Sequence, residues 1–286
     1  MRDIVDVIKD QAAIPGPIRI TDVGAMRIGV QERWQTLIDR GLATLLGFEP
    51  QADECARCNA ESKQGCHFLP EALGDGAVWP FYQCRAPATS SVFEPNHDFI
   101  RQFNGLSDLM EVVEKSEMPT RRLDDIEEAC DTDFLKLDIQ GAELMLLENA
   151  IETLKHVSII QTEISFVPLY IDQPLFADID HFLRGQGFML HTMLGFGSRA
   201  LQPTLINNDP FAGINQVLWS DVVYVKPFDN LVKGAAPATL LKRAILFHTL
   251  FGSYDFAARA LHEYDRFAQT TMTAAYIEGF SEQQAA

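Results

Sequence analysis

Two kinds of apolar pattern alternate along the chain: short, nearly continuous runs, and longer stretches in which apolar residues recur every three or four positions. The first suits strands buried on both faces and the second suits amphipathic helices. Residues 1–15, with Ile4, Val5, Ile8 and Ala12 on one side, predict an entry helix ended by Pro15-Gly16-Pro17. Residues 18–25 predict a strand entering a glycine turn, and residues 28–40 a helix closed by Gly41. Residues 42–48 predict a second strand, stopped at Glu49-Pro50 because proline cannot donate to a ladder. A third strand is expected over 67–73, then a tight turn at Gly74-Asp75-Gly76, with 77–84 pairing back as a short antiparallel strand. Residues 98–119 are charged and read as helical or irregular, and 118–126 as an edge strand turning into a short helix.

The central run is Phe134, Leu135, Leu137 and Ile139, broken by Gly141, after which Leu144, Leu147, Ile151 and Leu154 predict a helix. Residues 157–166 form the next predicted strand. Pro174 opens a helix that buries Phe176, Ile179 and Leu183 and ends at Gly185 and Gly187. The last two strands fall at 188–192 and 221–225, separated by a loop, 195–215, long enough to be a lid. Residues 238–251 and 256–267 predict two helices divided by Gly252-Ser253, and the last six residues are expected to fray. Strands alternating with helices predict an α/β fold built on a mostly parallel sheet.

Composition narrows the partners. The 286 residues are 47% apolar, enough for one large α/β domain with an appendage; we place a domain over 1–230 and a helical extension over 231–286. A formal charge of −17, from 23 basic and 40 acidic residues, repels phosphate backbones and anionic lipids, so neither nucleic acid nor membrane is an expected partner. There is no apolar run long enough to span a bilayer, and the first residues do not read as a secretory signal. The odd set Cys55, Cys58, Cys66, Cys84 and Cys130 then points to reduced thiols and a cytoplasmic location. Cys55-x-x-Cys58 with Cys66-His67 has a zinc-like spacing. A helix over 54–60 with both cysteines on its apolar face is the preferred reading, and no metal is expected.

Acids at strand ends carry the candidate chemistry, because ligands of open α/β sheets sit beyond the carboxyl ends of the strands. Asp22-Val23-Gly24-Ala25 ends the first strand and Glu49 the second; the glycine admits a close ligand, and the acid can accept from two ribose hydroxyls. Their separation is somewhat longer than the roughly 20 residues of dinucleotide binders, and the Gly-x-Gly-x-x-Gly pattern is missing. A pyrophosphate needs those close backbone approaches and a phosphate-free nucleoside does not, which favours an adenosyl ligand over NAD. Asp138 stands at the central strand's end, with capping of the next helix as its bland alternative. Glu163 ends the following strand, its alternative being a structural partner for Lys136. Tyr170 is a further acceptor contact; His67 and His97 rank lower as bases, and Ala88 to Ser91 read first as a surface turn and second as a reach into a pocket.

Taken in order, Asp22-Val23-Gly24-Ala25, Gly47-Phe48-Glu49-Pro50, Leu123-Asp124-Asp125, Leu135-Lys136-Leu137-Asp138-Ile139-Gln140-Gly141-Ala142-Glu143 and Glu163-Ile164-Ser165-Phe166 resemble the FkbM family of S-adenosylmethionine-dependent methyltransferases. The segment from Pro168 to Phe176 adds to the match, which spans roughly residues 18–225. The resemblance implies the class I methyltransferase fold, a seven-stranded Rossmann-like sheet with helices on both faces and an antiparallel last strand. It also implies S-adenosylmethionine as cofactor, with Asp22, Gly24 and Ala25 along its methionine part, Glu49 on the ribose and Gly74 and Asp75 by the adenine. Asp138 would lie below the sulfonium and the acceptor, and Asp138 and Glu163 are the candidate bases. One departure is visible: the family's central motif commonly reads Asp-Val-Glu-Gly, and Gln140 stands in the glutamate's place. The expected activity is O-methylation of a sugar, polyketide or similar small metabolite, with possible self-association through the C-terminal helices. An oxidoreductase, a metal-assisted methyltransferase and a non-catalytic adaptor on the same fold are the rival readings.

Overall fold

A computed structural model of the chain describes residues 3–25, 32–227 and 236–281. Helix α1 (Ile4–Lys9) precedes β1 (Ile18–Val23), α2 (Gln35–Asp39) leads to β2 (Ala43–Phe48), and α3 (Ala52–Glu61) to β3 (Cys66–Leu69). Of the helix expected over 28–40, residues 28–31 lie outside the described residues. Both Cys55 and Cys58 are buried on α3, as its apolar face requires. Next come β4 (Ala72–Leu73), β5 (Val78–Cys84), α4 (His97–Ile100), α5 (Leu106–Leu109) and β6 (Val112–Arg121). The central β7 (Phe134–Leu137) is followed by two short helices, α6 (Glu143–Glu148) and α7 (Ile151–His156), where one was expected. Then follow β8 (Ile159–Ser165), α8 (Phe176–Gly185), β9 (Met189–Met193), β10 (Gly197–Ser198) and β11 (Val217–Val225). Three C-terminal helices close the chain, α9 (Pro237–Leu246), α10 (Tyr254–Ala268) and α11 (Met272–Ser281), one more than the hydropathy marks.

The main sheet runs β10-β11-β8-β7-β1-β2-β3, with β9 also paired to β11. β1 is parallel to β7, β7 to β8 and β2 to β3, while β11 runs antiparallel to β8, as expected of the last strand. The count is eight rather than seven because the outer edge comes in two pieces. β9 pairs with Val222 to Val225 and β10 with Val217 and Trp219, on the same side of β11. Between the pieces Gly195 takes φ +110°, and the Ser220 hydroxyl donates to its carbonyl. The strand order reverses at β1, which has β7 on one side and β2 on the other, and such a reversal opens a crevice at the carboxyl ends.

Three expectations are corrected. The strand expected over 67–73 is two, β3 in the main sheet and β4 in a smaller one. Strand β5 pairs not with the third strand but antiparallel to β6, and with β4 parallel to β6 these make a separate three-stranded sheet. Residues 112–117 are therefore strand, not helix or irregular chain. Val112 to Arg121 is exposed at most positions, so no alternation betrays it.

The chain forms two compact units: one of residues 19–28 and 45–226, the other of 1–18, 29–44 and 227–286. In the first, Leu135, Leu137, Ile160, Ile164 and Val222 line one face of the sheet and pack with Leu146 and Leu147 of α6 and Ile179 and Leu183 of α8. Lys136 and Asp138 alternate with Leu135 and Leu137 and so stand on the other face. No helix among the described residues is long and apolar enough to cross a membrane.

Candidate active site

The tips of β1 and β7 are clamped by main-chain bonds. Gly24 and Ala25 donate from nitrogen to the Phe48 carbonyl at 3.2 and 3.1 Å, and Asp138 N donates to the Val23 carbonyl at 3.0 Å. Gly24 takes φ +81°, and a Cβ there would lie 1.9 Å from the Asp138 carbonyl oxygen. Only glycine fits where these two tips cross. Past β7 the backbone turns through Gln140 at φ +53° and Gly141 at φ +102°. The Glu143 carboxylate braces this turn, accepting from Ile139 N and Gly141 N at 2.9 Å each. Burial pushes the Glu143 carboxyl up to about 7, with the Asp138 charge adding to the shift and the backbone donors opposing it.

Beyond these tips lies a cleft of about 890 Å³, the space open to solvent included. Gly24, Glu49, Asp138 and Gln140 line it from the main sheet; Leu73, Phe81, Met118 and Thr120 form a wall from the smaller one. Ser90 and Ser91 line it as well, so the polar loop read first as a surface turn reaches the pocket. Nothing in the local pattern marks Phe81 or Met118, because their strands are distant in sequence from the motifs they face.

Glu49 is 2% exposed, and its Oε1 accepts from Gln51 N at 2.8 Å. Burial raises its carboxyl above the usual range, the Gln51 N–H opposes, and the Glu54 and Asp22 charges add to the rise. Lys136 lies between two carboxylates, 3.3 Å from Asp22 Oδ1 and 3.8 Å from Asp138 Oδ2. Asp22 is buried, whereas the Asp138 side chain keeps 34% of its exposure. At the end of β8, burial and the charges of Asp138, Glu143 and Asp221 hold the Glu163 carboxyl well above its ordinary value, with Lys136 opposing. Tyr170 is buried and its hydroxyl lies 2.9 Å from the Thr89 carbonyl and 3.1 Å from Gln140 Oε1, so it is engaged within the protein.

The structure thus brings Gly24, Glu49 and Asp138 to one cleft. Asp22, in β1, and Ala25, just past its end, are both buried. Gly74 packs against Thr120 and Met145, and Asp75 turns its carboxylate to Ala77 N at 2.8 Å and Trp79 Nε1 at 3.0 Å. At that corner Glu71, Ala72 and Leu73 line the cleft instead. His67 and His97 are exposed and stand outside the lining. Chemically, the site offers one accessible carboxylate beside a lysine, a second buried at the neighbouring tip, and an apolar wall suited to a flat base.

No curated protein matches the chain. Among solved structures, a Clostridium thermocellum protein provisionally assigned as an rRNA-methylase is 12% identical, with 79% of this chain and 97% of that one covered at a TM-score of 0.33. LepI in complex with S-adenosylmethionine is 7% identical, with 79% and 47% covered at a TM-score of 0.31. The methyltransferase FkbM domain matches residues 22–190, more than half of the chain and every strand tip that lines the cleft from the main sheet. The chain belongs to the FkbM family of S-adenosylmethionine-dependent methyltransferases.

Proposed function

We propose that the protein methylates a hydroxyl of a small metabolite or sugar. The observation that carries this reading is the convergence of Gly24, Glu49 and Asp138, from three different strand tips, on a single cleft. The residues present fit S-adenosylmethionine: a glycine crossing that no Cβ can enter, a buried carboxylate at the second tip, and an apolar wall from the smaller sheet facing them. In this reading Glu49 takes the ribose hydroxyls, and the Asp22-to-Ala25 turn follows the methionine part. Leu73, Phe81 and Met118 cover the adenine, with Gly74 and Asp75 shaping the turn behind them. When bound, the cofactor supplies a methyl group already activated as a sulfonium.

What remains for the protein is position and proton transfer. Asp138 suits the base's part: it is partly exposed, lines the cleft, and lies 3.8 Å from the Lys136 ammonium. Oriented on the acceptor hydroxyl, its carboxylate would take that group's proton, a contribution of roughly 10²–10⁴-fold. Glu163 stands outside the cleft lining and meets the Gln140 amide at 3.4 Å, so its reach to an acceptor is less direct than that of Asp138. A charge of −17 favours a small acceptor over nucleic acid or an anionic surface.

Calorimetry with S-adenosylhomocysteine tests the reading. The native protein is expected to bind it, and Glu49→Ala to weaken binding by about 1–3 kcal/mol, the scale of hydrogen bonds to a charged group. Absence of binding to the native protein would overturn it.

A further inference from the structure

At the turn after β7 sits a side chain that neither binds the cofactor nor moves a proton in the scheme above. Gln140 Nε2 donates to Asp138 Oδ1 at 2.9 Å and lies 3.4 Å from Glu163 Oε1. Its Oε1 accepts from the Tyr170 hydroxyl at 3.1 Å, and its main-chain carbonyl accepts from Ser91 Oγ at 2.7 Å. An amide has two N–H donors and one carbonyl acceptor. With the carbonyl turned to Tyr170, both donors face carboxylates. The left-handed backbone, φ +53°, is a conformation a non-glycine residue adopts at a cost. Contacts at both ends of the residue hold it there.

We propose that Gln140 is a positioning residue, whose amide joins Asp138 and Glu163 into one hydrogen-bonded array and fixes the direction of the Asp138 carboxylate at the cleft. The proposal rests on the methyltransferase reading for its purpose but not for its geometry. The groups facing Glu163 are Lys136 from β7, Asp138 just past its end, Glu143 from α6, Asp221 from β11 and the Tyr170 hydroxyl. Three of these are acids that raise its carboxyl, and Lys136 opposes them. A neutral amide adds a donor beside Glu163 without adding charge, so it favours the ionised form of that carboxyl.

The test reads the Glu163 carboxyl directly, by carbon-13 NMR of protein labelled at the glutamate carboxyls, the signal being assigned by its loss in Glu163→Gln. Gln140→Met keeps the volume and removes the donors; the Glu163 titration midpoint is expected to rise by about one pH unit. A residue that only filled space would leave the midpoint where it is, and an unmoved midpoint in folded Gln140→Met overturns the proposal. Should that variant not fold, Gln140→Asn withdraws the same donors by one methylene, with the same expected and overturning results. The titration needs no cofactor, so failure to bind S-adenosylhomocysteine would strike the methyltransferase reading and leave this measurement to decide the array.

Discussion

Glu143 spends both carboxylate oxygens on main-chain donors of the turn that carries Asp138 and Gln140, and it is 3% exposed. Its carboxyl titrates near 7 in the folded protein against an ordinary 4.5, burial being the main cause. Between those two values the folded state binds more protons than the unfolded one, so stability falls as pH rises through the window and levels off above it. The full effect is on the order of 3–4 kcal/mol. Urea unfolding at pH 4.5 and pH 7.5 should therefore show the native protein losing stability that Glu143→Gln, with no carboxyl to titrate, does not lose. Equal pH dependence in the two proteins would exclude this account. Glu143 stood in the sequence only as part of the family pattern, because its task depends on the positive-φ turn at Gln140 and Gly141. Gly24 and Glu49 were legible: a glycine between apolar strand and helix, and an acid before a proline, announce themselves locally. Phe81, Met118 and Thr120 were not, since their place in the cleft follows from the β5–β6 pairing.

Elements were legible to the extent that both their faces are buried. Strands β7 and β8 read as apolar runs because every position of β7 and nearly every position of β8 is buried. Strand β6, exposed along most of its length, gives hydropathy nothing to register, and β10 pairs through two residues only. The helix after Gly141 was expected in one piece; it breaks at Asn149 and Ala150 and restarts with its own cap. That cap comes from elsewhere: the Asp124 carboxylate accepts from Glu152 N at 3.0 Å and from Thr153 N and Thr153 Oγ1 at 2.8 Å. The Leu123-Asp124-Asp125 stretch, part of the family pattern in the sequence, thus satisfies two orphan backbone donors of α7. Replacing it by alanine, Asp124→Ala, should cost about 1–2 kcal/mol in chemical denaturation, the scale of a lost cap. Affinity for S-adenosylhomocysteine should be unchanged, since Asp124 is absent from the cleft lining. A matching loss of affinity would show that the segment also shapes the site.

On the scale of the whole molecule, the two ends of the chain belong to one compact unit. Helix α1 packs against α9 and α11, burying Ile4, Val5, Val7 and Ile8, and Thr271 N donates to Gln11 Oε1 across 260 positions of sequence. Within the same unit His248 Nδ1 meets the Tyr276 hydroxyl at 2.8 Å. No local periodicity announces such a grouping, because the pattern of α1 says that one side is buried and not what buries it. Fully burying one such aliphatic side chain stabilises by roughly 1.5–3 kcal/mol, so uncovering even part of α1 removes on the order of 5 kcal/mol. Whole domains are stable by about 5–15 kcal/mol. A chain ended at residue 227 should therefore lose cooperative thermal unfolding or fall into the insoluble fraction. If that shortened chain melts with the midpoint of the full one, the C-terminal helices are a dispensable attachment, and the burial of α1 does not depend on them.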